Sequence, residues 1–302
     1  MTQVNLVSLK PDPKGRPLFF DDTLIAVGSL LQRAGYRVHT SCNVVYPDVH
    51  NILWGAGTQL FPDLAAVRAV GRPEFTCIFN MEQLASDSPL VTTAYLDFLH
   101  EYRVLDYNAR NLAVLLERRA DQKCSEFPVL PCAELAACAQ PPQACANAGA
   151  LQDVGFFGAL TERRVRVLDA LRARGVRVKQ IQGFGENLSS AMADCRLILN
   201  VHAYDTGIFE IARALRPCAL GIPMVSEQSC LPLHADWSAS GICFAAYDDL
   251  VGRVTTLLDQ PDLQLLATRQ TQAFLGGHDW RTSALSAMQE AGLPLPTRAE
   301  AA

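Results

Sequence analysis

No apolar run in this 302-residue chain reaches the roughly eighteen residues that a membrane-spanning helix needs. The N-terminus carries no signal-peptide pattern, so a soluble, cytoplasmic chain without a membrane span is expected. Charge is sparse, at 19% of residues, and the net value of −5 gives no footing for a nucleic-acid partner. Ten cysteines are present, yet none pair as C-x-x-C. Cys124, Cys132, Cys138 and Cys145 are grouped, but their irregular spacing suits zinc poorly. Most of the cysteines read as reduced thiols packed like small hydrophobes, a metal or redox cluster at 124–145 being the alternative. No D-x-D motif of the kind that brings Mg²⁺ stands at an expected strand end, so no metal site is expected. Gly183-Phe184-Gly185 lacks the third glycine of a dinucleotide fingerprint and follows the second strand of its half, which excludes a nicotinamide-type reading. No internal repeat stands out.

Hydrophobic residues, at 49%, are ample for a sizeable core, and the length suits two domains. From Asp153 to Glu227, apolar runs of strand length alternate with helical periods, the pattern of βαβ units on a parallel sheet. Three polar or glycine-bearing turns, Gly158–Arg164, Gly183–Asn187 and His202–Glu210, fall where strands give way to helices. Ligands of open α/β sheets sit outside the carboxyl ends of the strands, so these turns are expected on one functional rim. Thr161 can cap the next helix, whose first turn holds Glu162, Arg163 and Arg164. Two arginines at a helix start suit a bound di-anion, although solvated surface charges are the plainer reading. Gly185 would allow close backbone approach to a ligand. After Asn200 and His202, the turn Ala203-Tyr204-Asp205-Thr206-Gly207 leads to Ile208-Phe209-Glu210. There Glu210 can cap the helix or accept from vicinal hydroxyls such as those of a ribose. Glu227 and Ser226 close the rim.

The N-terminal half reads similarly. Val4–Leu9 is an expected strand, followed by a proline-rich loop and a helix opened by Asp21 and Asp22. Phe75–Asn80 and Tyr102–Leu105 are further strands, with Glu82 and Asp106 at their carboxyl ends. Asp106 can cap the helix Ala109–Arg119 or act as an acid; Glu82 has no evident capping task. Phe127–Leu130 is the expected last strand. Residues 133–151, rich in Ala, Pro and Gln, form the expected linker between a domain at 1–132 and one at 152–302.

The runs Phe156-Phe157-Gly158…Arg163-Arg164, Leu199-Asn200-Val201-His202-Ala203-Tyr204…Ile208-Phe209-Glu210 and Val225-Ser226-Glu227 resemble the GT-B-fold glycosyltransferases of the broad family 1 and 4 group. Asn80-Met81-Glu82-Gln83 and Asp106-Tyr107…Asn111 bring the likeness closest to a bacterial subgroup, over about residues 49–280. The resemblance implies an α/β chain of two Rossmann-like lobes with parallel sheets facing a cleft, the second binding a nucleotide-diphosphate sugar as co-substrate with no further cofactor. It implies Arg163 or Arg164 on the diphosphate and Glu210, as second acid of an E-x7-E motif, on the ribose. Gly158, Gly185, Tyr204, Thr206, Gly207, Ile208, Phe209 and Glu227 would frame the donor. His202 stands where that motif has its first acid; it is a candidate catalytic residue, with Glu82 and Asp106 as candidate bases. A metal-independent transfer to an unknown glycan, protein or small-molecule acceptor is expected. A non-catalytic nucleotide-sugar or partner-binding protein and a sugar-nucleotide epimerase are the competing readings on the same fold.

Overall fold

The computed structural model describes residues 2–11, 18, 20–58, 61, 63–136, 152–205, 207–229 and 235–296. The chain divides into two compact units, Met1–Leu130 with Asp279–Ala302, and Pro131–His278. The first unit runs β1 (Gln3–Ser8), α1 (Asp21–Arg33), β2 (Arg37–Cys42), β3 (His50–Trp54), α2 (Leu64–Val70), β4 (Thr76–Asn80), α3 (Thr93–Leu99), β5 (Arg103–Asp106), α4 (Ala109–Arg118) and β6 (Cys124–Glu126). Its strands form one parallel sheet in the order β2-β1-β3-β4-β5-β6. Central strands β3 and β4 are buried at every residue but His50, as a sheet covered on both faces requires.

The second unit runs α5 (Ala133–Ala136), β7 (Gln152–Phe157), α6 (Glu162–Ala173), β8 (Val178–Ile181), α7 (Gly185–Ala193), β9 (Cys195–Asn200), α8 (Ile211–Ala219), β10 (Met224–Glu227), α9 (Ala235–Ser238), β11 (Cys243–Ala245), α10 (Leu250–Asp259) and α11 (Pro261–Gly276). Its parallel sheet has the order β11-β10-β9-β7-β8. All strands point one way, so the three expected turns leave the sheet along the same rim. Leu199 pairs with Phe156, and Asn200 with Ser226, which brings Gly158, His202 and Glu227 out at nearly one level.

Two expectations are corrected. The expected second domain at 152–302 ends early. The last helix, α12 (Trp280–Glu290), belongs to the first unit, against α1 and β6. Ser125 Oγ donates to Glu290 at 2.7 Å and Tyr36 Oη to the Pro294 carbonyl at 3.0 Å. The last strand of the first sheet is β6 rather than Phe127–Leu130, because Pro128 has no N–H to give a ladder. Of the expected linker, 133–136 form α5, which packs on α8, and 137–151 lie outside the described residues.

Gly155, in the middle of β7, is a glycine for lack of room. A Cβ there would lie 2.7 Å from Ile198 Cδ1, 2.8 Å from Cys195 Sγ and 2.9 Å from Ile181 Cδ1. Gly155→Ala is expected to overpack this layer and lower stability by roughly 1–3 kcal/mol. A urea melt giving an unchanged midpoint would show that the layer yields freely.

Candidate functional site

The rim of the second sheet is built around one carboxylate. Glu210 is the N-cap residue of α8, and its side chain is turned inward. Its Oε1 accepts from Arg164 Nη2 at 3.2 Å, and its Oε2 from Asn200 Nδ2 at 3.0 Å. His202 Nδ1 lies 2.8 Å from the same Oε2. Burial alone would raise this carboxyl. The His202 hydrogen bond and charge, with Arg213 and Arg164, outweigh burial and hold it at about 2.

Thr161 caps α6 as expected, its side chain accepting from the Arg164 N–H. The cap fixes where the adjacent arginines point. Arg164 is 2% exposed and donates to the Val201 carbonyl at 2.8 Å and the Ala159 carbonyl at 2.9 Å, besides Glu210. Burial, then the charge of Arg213, lowers it to about 10. Arg163 turns the other way. It forms a two-pronged pair with Glu227, donates from Nε to Asp205 at 2.6 Å, and stacks 3.9 Å from the centre of the Tyr247 ring. Burial opposes its charge, but the bonds to Glu227 and Asp205 prevail and the net shift is upward. Glu227 also accepts from the His202 backbone N–H at 2.8 Å. Arg163, Arg164, His202, Glu210 and Glu227 are thus brought together.

The other expected rim residues divide. Gly158 has φ +116° and leaves β7 beside the Arg213 guanidinium, which donates to the Phe157 carbonyl. At Gly207 a Cβ would lie 2.7 Å from His202 Cβ and 2.8 Å from Cγ, so the imidazole is seated against that bare backbone. Tyr204 is half-buried in the same turn, and Thr206 lies outside the described residues. Gly185 opens α7 next to the outer strand β8. Ile208 and Phe209 are interior: Phe209 packs against Trp237 and Phe244 with ring centres 5.4 and 5.2 Å apart. Their side chains brace the turn from beneath, correcting the expectation that they frame a ligand. Asn200, Asp205, Arg213 and Tyr247 were not singled out as site residues. Asn200 had a signal, since it ends a strand on the rim. Tyr247 had none, being far along the chain.

Glu82 and Asp106 belong to the first unit and differ sharply. Asp106 is fully buried, and its carboxylate accepts from Asn80 Nδ2 at 2.6 Å, Asn111 Nδ2 at 3.0 Å and the Asn108 N–H at 2.8 Å. Burial still raises it to about 8. It does not cap α4; Asn108 does, accepting from the Arg110 N–H. Both amides also donate to the Glu82 carbonyl, at 2.8 and 3.1 Å, so the network fixes the backbone of Glu82. Burial raises the Glu82 carboxyl to about 7. No donor among the described residues reaches that carboxylate.

No protein-family model matches the chain. Its sequence is similar to uncharacterized proteins of Acanthamoeba polyphaga mimivirus. Protein L140 is 26% identical over 206 residues, 64% of this chain and 64% of L140. Protein L138 is 30% identical over 110 residues, 35% of this chain and 12% of L138. The chain therefore spans less than two thirds of the length of these relatives. They are viral, and the bacterial origin suggested by the motifs is not shown. Solved structures are similar over nearly the whole chain. WaaG, a glycosyltransferase involved in lipopolysaccharide biosynthesis, has a TM-score of 0.58 at 12% identity, over 96% of this chain and 100% of its own. HepE of Anabaena, in complex with UDP and glucose, has 0.59 at 12%, over 97% and 100%. An E. coli trehalose-6-phosphate structure bound with UDP-2-fluoro glucose has 0.58 at 10%, over 97% and 100%. The two Rossmann-like units are those of the GT-B glycosyltransferase fold.

Two outcomes follow from the buried charges. Arg164→Ala removes the arginine that pairs with the buried Glu210 and should cost roughly 3–5 kcal/mol in a urea melt. Glu210 is held below its ordinary 4.5, at about 2, so its contribution is full above 4.5 and lost as pH falls toward 2. The gap between wild type and Arg164→Ala should narrow over that range. Asp106 has the opposite sign: folded it keeps its proton to about pH 8, unfolded only to about 3.8. Its contribution falls as pH rises through that window, by at most about 1.4 kcal/mol per unit. Wild type should lose stability relative to Asp106→Asn between these pH values; parallel profiles would refute the shift.

Proposed function

We propose that the protein is a metal-independent glycosyltransferase that moves a sugar from a nucleoside-diphosphate donor, bound on the rim of the second unit, to an acceptor hydroxyl. One observation carries this reading. Glu210, His202, Arg163, Arg164 and Glu227 form a single network at the carboxyl ends of β7, β9 and β10, where open α/β sheets hold ligands. Solved structures of the same fold carry UDP and glucose or UDP-2-fluoro glucose.

In such a transfer the anomeric carbon–oxygen bond breaks and the nucleoside diphosphate leaves with the electron pair. Arginine N–H groups stabilise that developing charge. Glu210 grips the ribose, and its capture by His202 and Arg164 presents a carboxylate already ionised and oriented. His202 faces the sugar with Nε2, which has no partner among the described residues. The acceptor hydroxyl forms the new bond and must lose its proton. Glu82, at about 7 and without a donor on its carboxylate among the described residues, has the affinity a general base needs near neutrality. Asp106 orients the Asn80 and Asn111 amides that hold the Glu82 backbone and takes no proton from the acceptor.

A non-catalytic nucleotide-sugar-binding protein is the second reading. It is favoured by Glu210 and Glu227, the carboxylates bonded to His202, both being committed to arginines.

A panel of UDP-, GDP- and dTDP-sugars, assayed for nucleoside diphosphate release with cell-extract acceptors, separates the two. Turnover is expected. Glu82→Gln should lower kcat by about a hundredfold or more with donor affinity unchanged, and remove the limb of the pH profile near 7. Donor binding without any release would favour the second reading. Full activity in Glu82→Gln would remove that base.

A further inference from the structure

Three arginines gather at the ends of β7 and β9, and only one of them is uncommitted. Arg164 is walled in by two carbonyls and Glu210. Arg163 is neutralised by Glu227 and Asp205 and covered by Tyr247. Arg213, one turn into α8, forms no ion pair among the described residues. Its Nη1 donates to the Phe157 carbonyl, and it lies over the Phe157 ring, 5.4 Å from the centre. It is half-buried, and burial lowers its pKa against the pull of Glu210.

The space it occupies is made by Gly158. A Cβ at 158 would come within 3.0 Å of Cζ and of both terminal nitrogens of Arg213. The left-handed φ of +116° likewise disfavours any side chain there. Within this group Arg163, Arg164 and Arg213 face only Glu210, Glu227 and the 87% exposed Asp205. The buried part of the rim therefore carries an unbalanced positive charge, and its accessible source is Arg213. An unpaired, partly desolvated guanidinium is costly unless an anion completes it. His202 Nε2 and Asn200 Oδ1, buried and without partners among the described residues, mark the same end of β9.

We propose that Arg213, lodged against Gly158, is the arginine that binds the donor's phosphate groups, in place of the Arg163–Arg164 pair that the motif suggests. This rests on the donor reading of the same rim. A guanidinium fork presents paired N–H groups to phosphate oxygens, so the site selects the diphosphate over the bare nucleoside.

Calorimetry with UDP, GDP and dTDP, and ligand-observed NMR with the matching nucleosides, test this on wild type, Arg213→Ala and Arg213→Lys, each checked by thermal melt. Arg213→Ala should raise the Kd of the preferred diphosphate about ten- to a hundredfold and leave the nucleoside within about twofold. Arg213→Lys, which keeps the charge should the alanine variant fold poorly, should recover part of the loss. Equal losses for diphosphate and nucleoside would make Arg213 a purely structural brace and overturn the assignment. So would diphosphate binding within twofold of wild type in both variants. A wild type that binds none of the three diphosphates would remove the donor reading itself, and this assignment with it.

Discussion

The rim of the second unit depends on the carboxylate of Glu210. It joins the start of α6 through Arg164, the end of β9 through Asn200 and His202, and the start of α8 through its own backbone. A charge in such a place is tolerable only when its lone pairs are filled and a cation stands close. Here both conditions hold, and three segments separated in sequence acquire fixed relative positions. The turn between them can then carry bare backbone at Gly207, because the His202 ring is held by the carboxylate and not by packing alone.

That requirement also sorts the arginines. Successive residues on a helix point about 100° apart, so neighbours in sequence cannot serve one task. The Thr161 cap sets the phase of α6. Arg164 falls inward and becomes wall, while Arg163 falls toward Glu227 and Tyr247. A doubled arginine in the sequence thus reads as one anion site, whereas in the fold it supplies two different struts. The uncommitted cation, Arg213, comes from α8.

Much of this was legible in the residues. The alternation of apolar runs with helical periods, the parallel sheets, the common rim and the Thr161 cap all follow from local patterns that the tertiary structure does not override. The GT-B fold was legible only through the resemblance of short motifs to a known family. What escaped depended on distance along the chain. The return of α12 to the first unit rests on contacts with α1 and β6, far away in sequence. Tyr247 under Arg163 is likewise a long-range pairing. Ile208 and Phe209 sit in a motif among polar residues, and nothing local reveals that Trp237 and Phe244 enclose the ring. Pro128 did hold the information that moved the last strand of the first sheet, through its missing donor.

Glu82 and Asp106 carry the same principle into the first unit. Asp106 ends one strand and Glu82 lies just past the end of its neighbour; both are buried, and both hold their protons more tightly than free carboxylates. They differ in their neighbours. Asp106 receives three donors, two of them amides that also grip the Glu82 backbone. The donors tie Asp106 into the structure and remove it from chemistry. Glu82 gains a rigid main chain from them and keeps a carboxylate that no donor among the described residues reaches. Burial raises both groups, so a raised proton affinity alone does not mark a reactive acid. Lone pairs without a donor do, and of these two carboxyls Glu82 has them among the described residues.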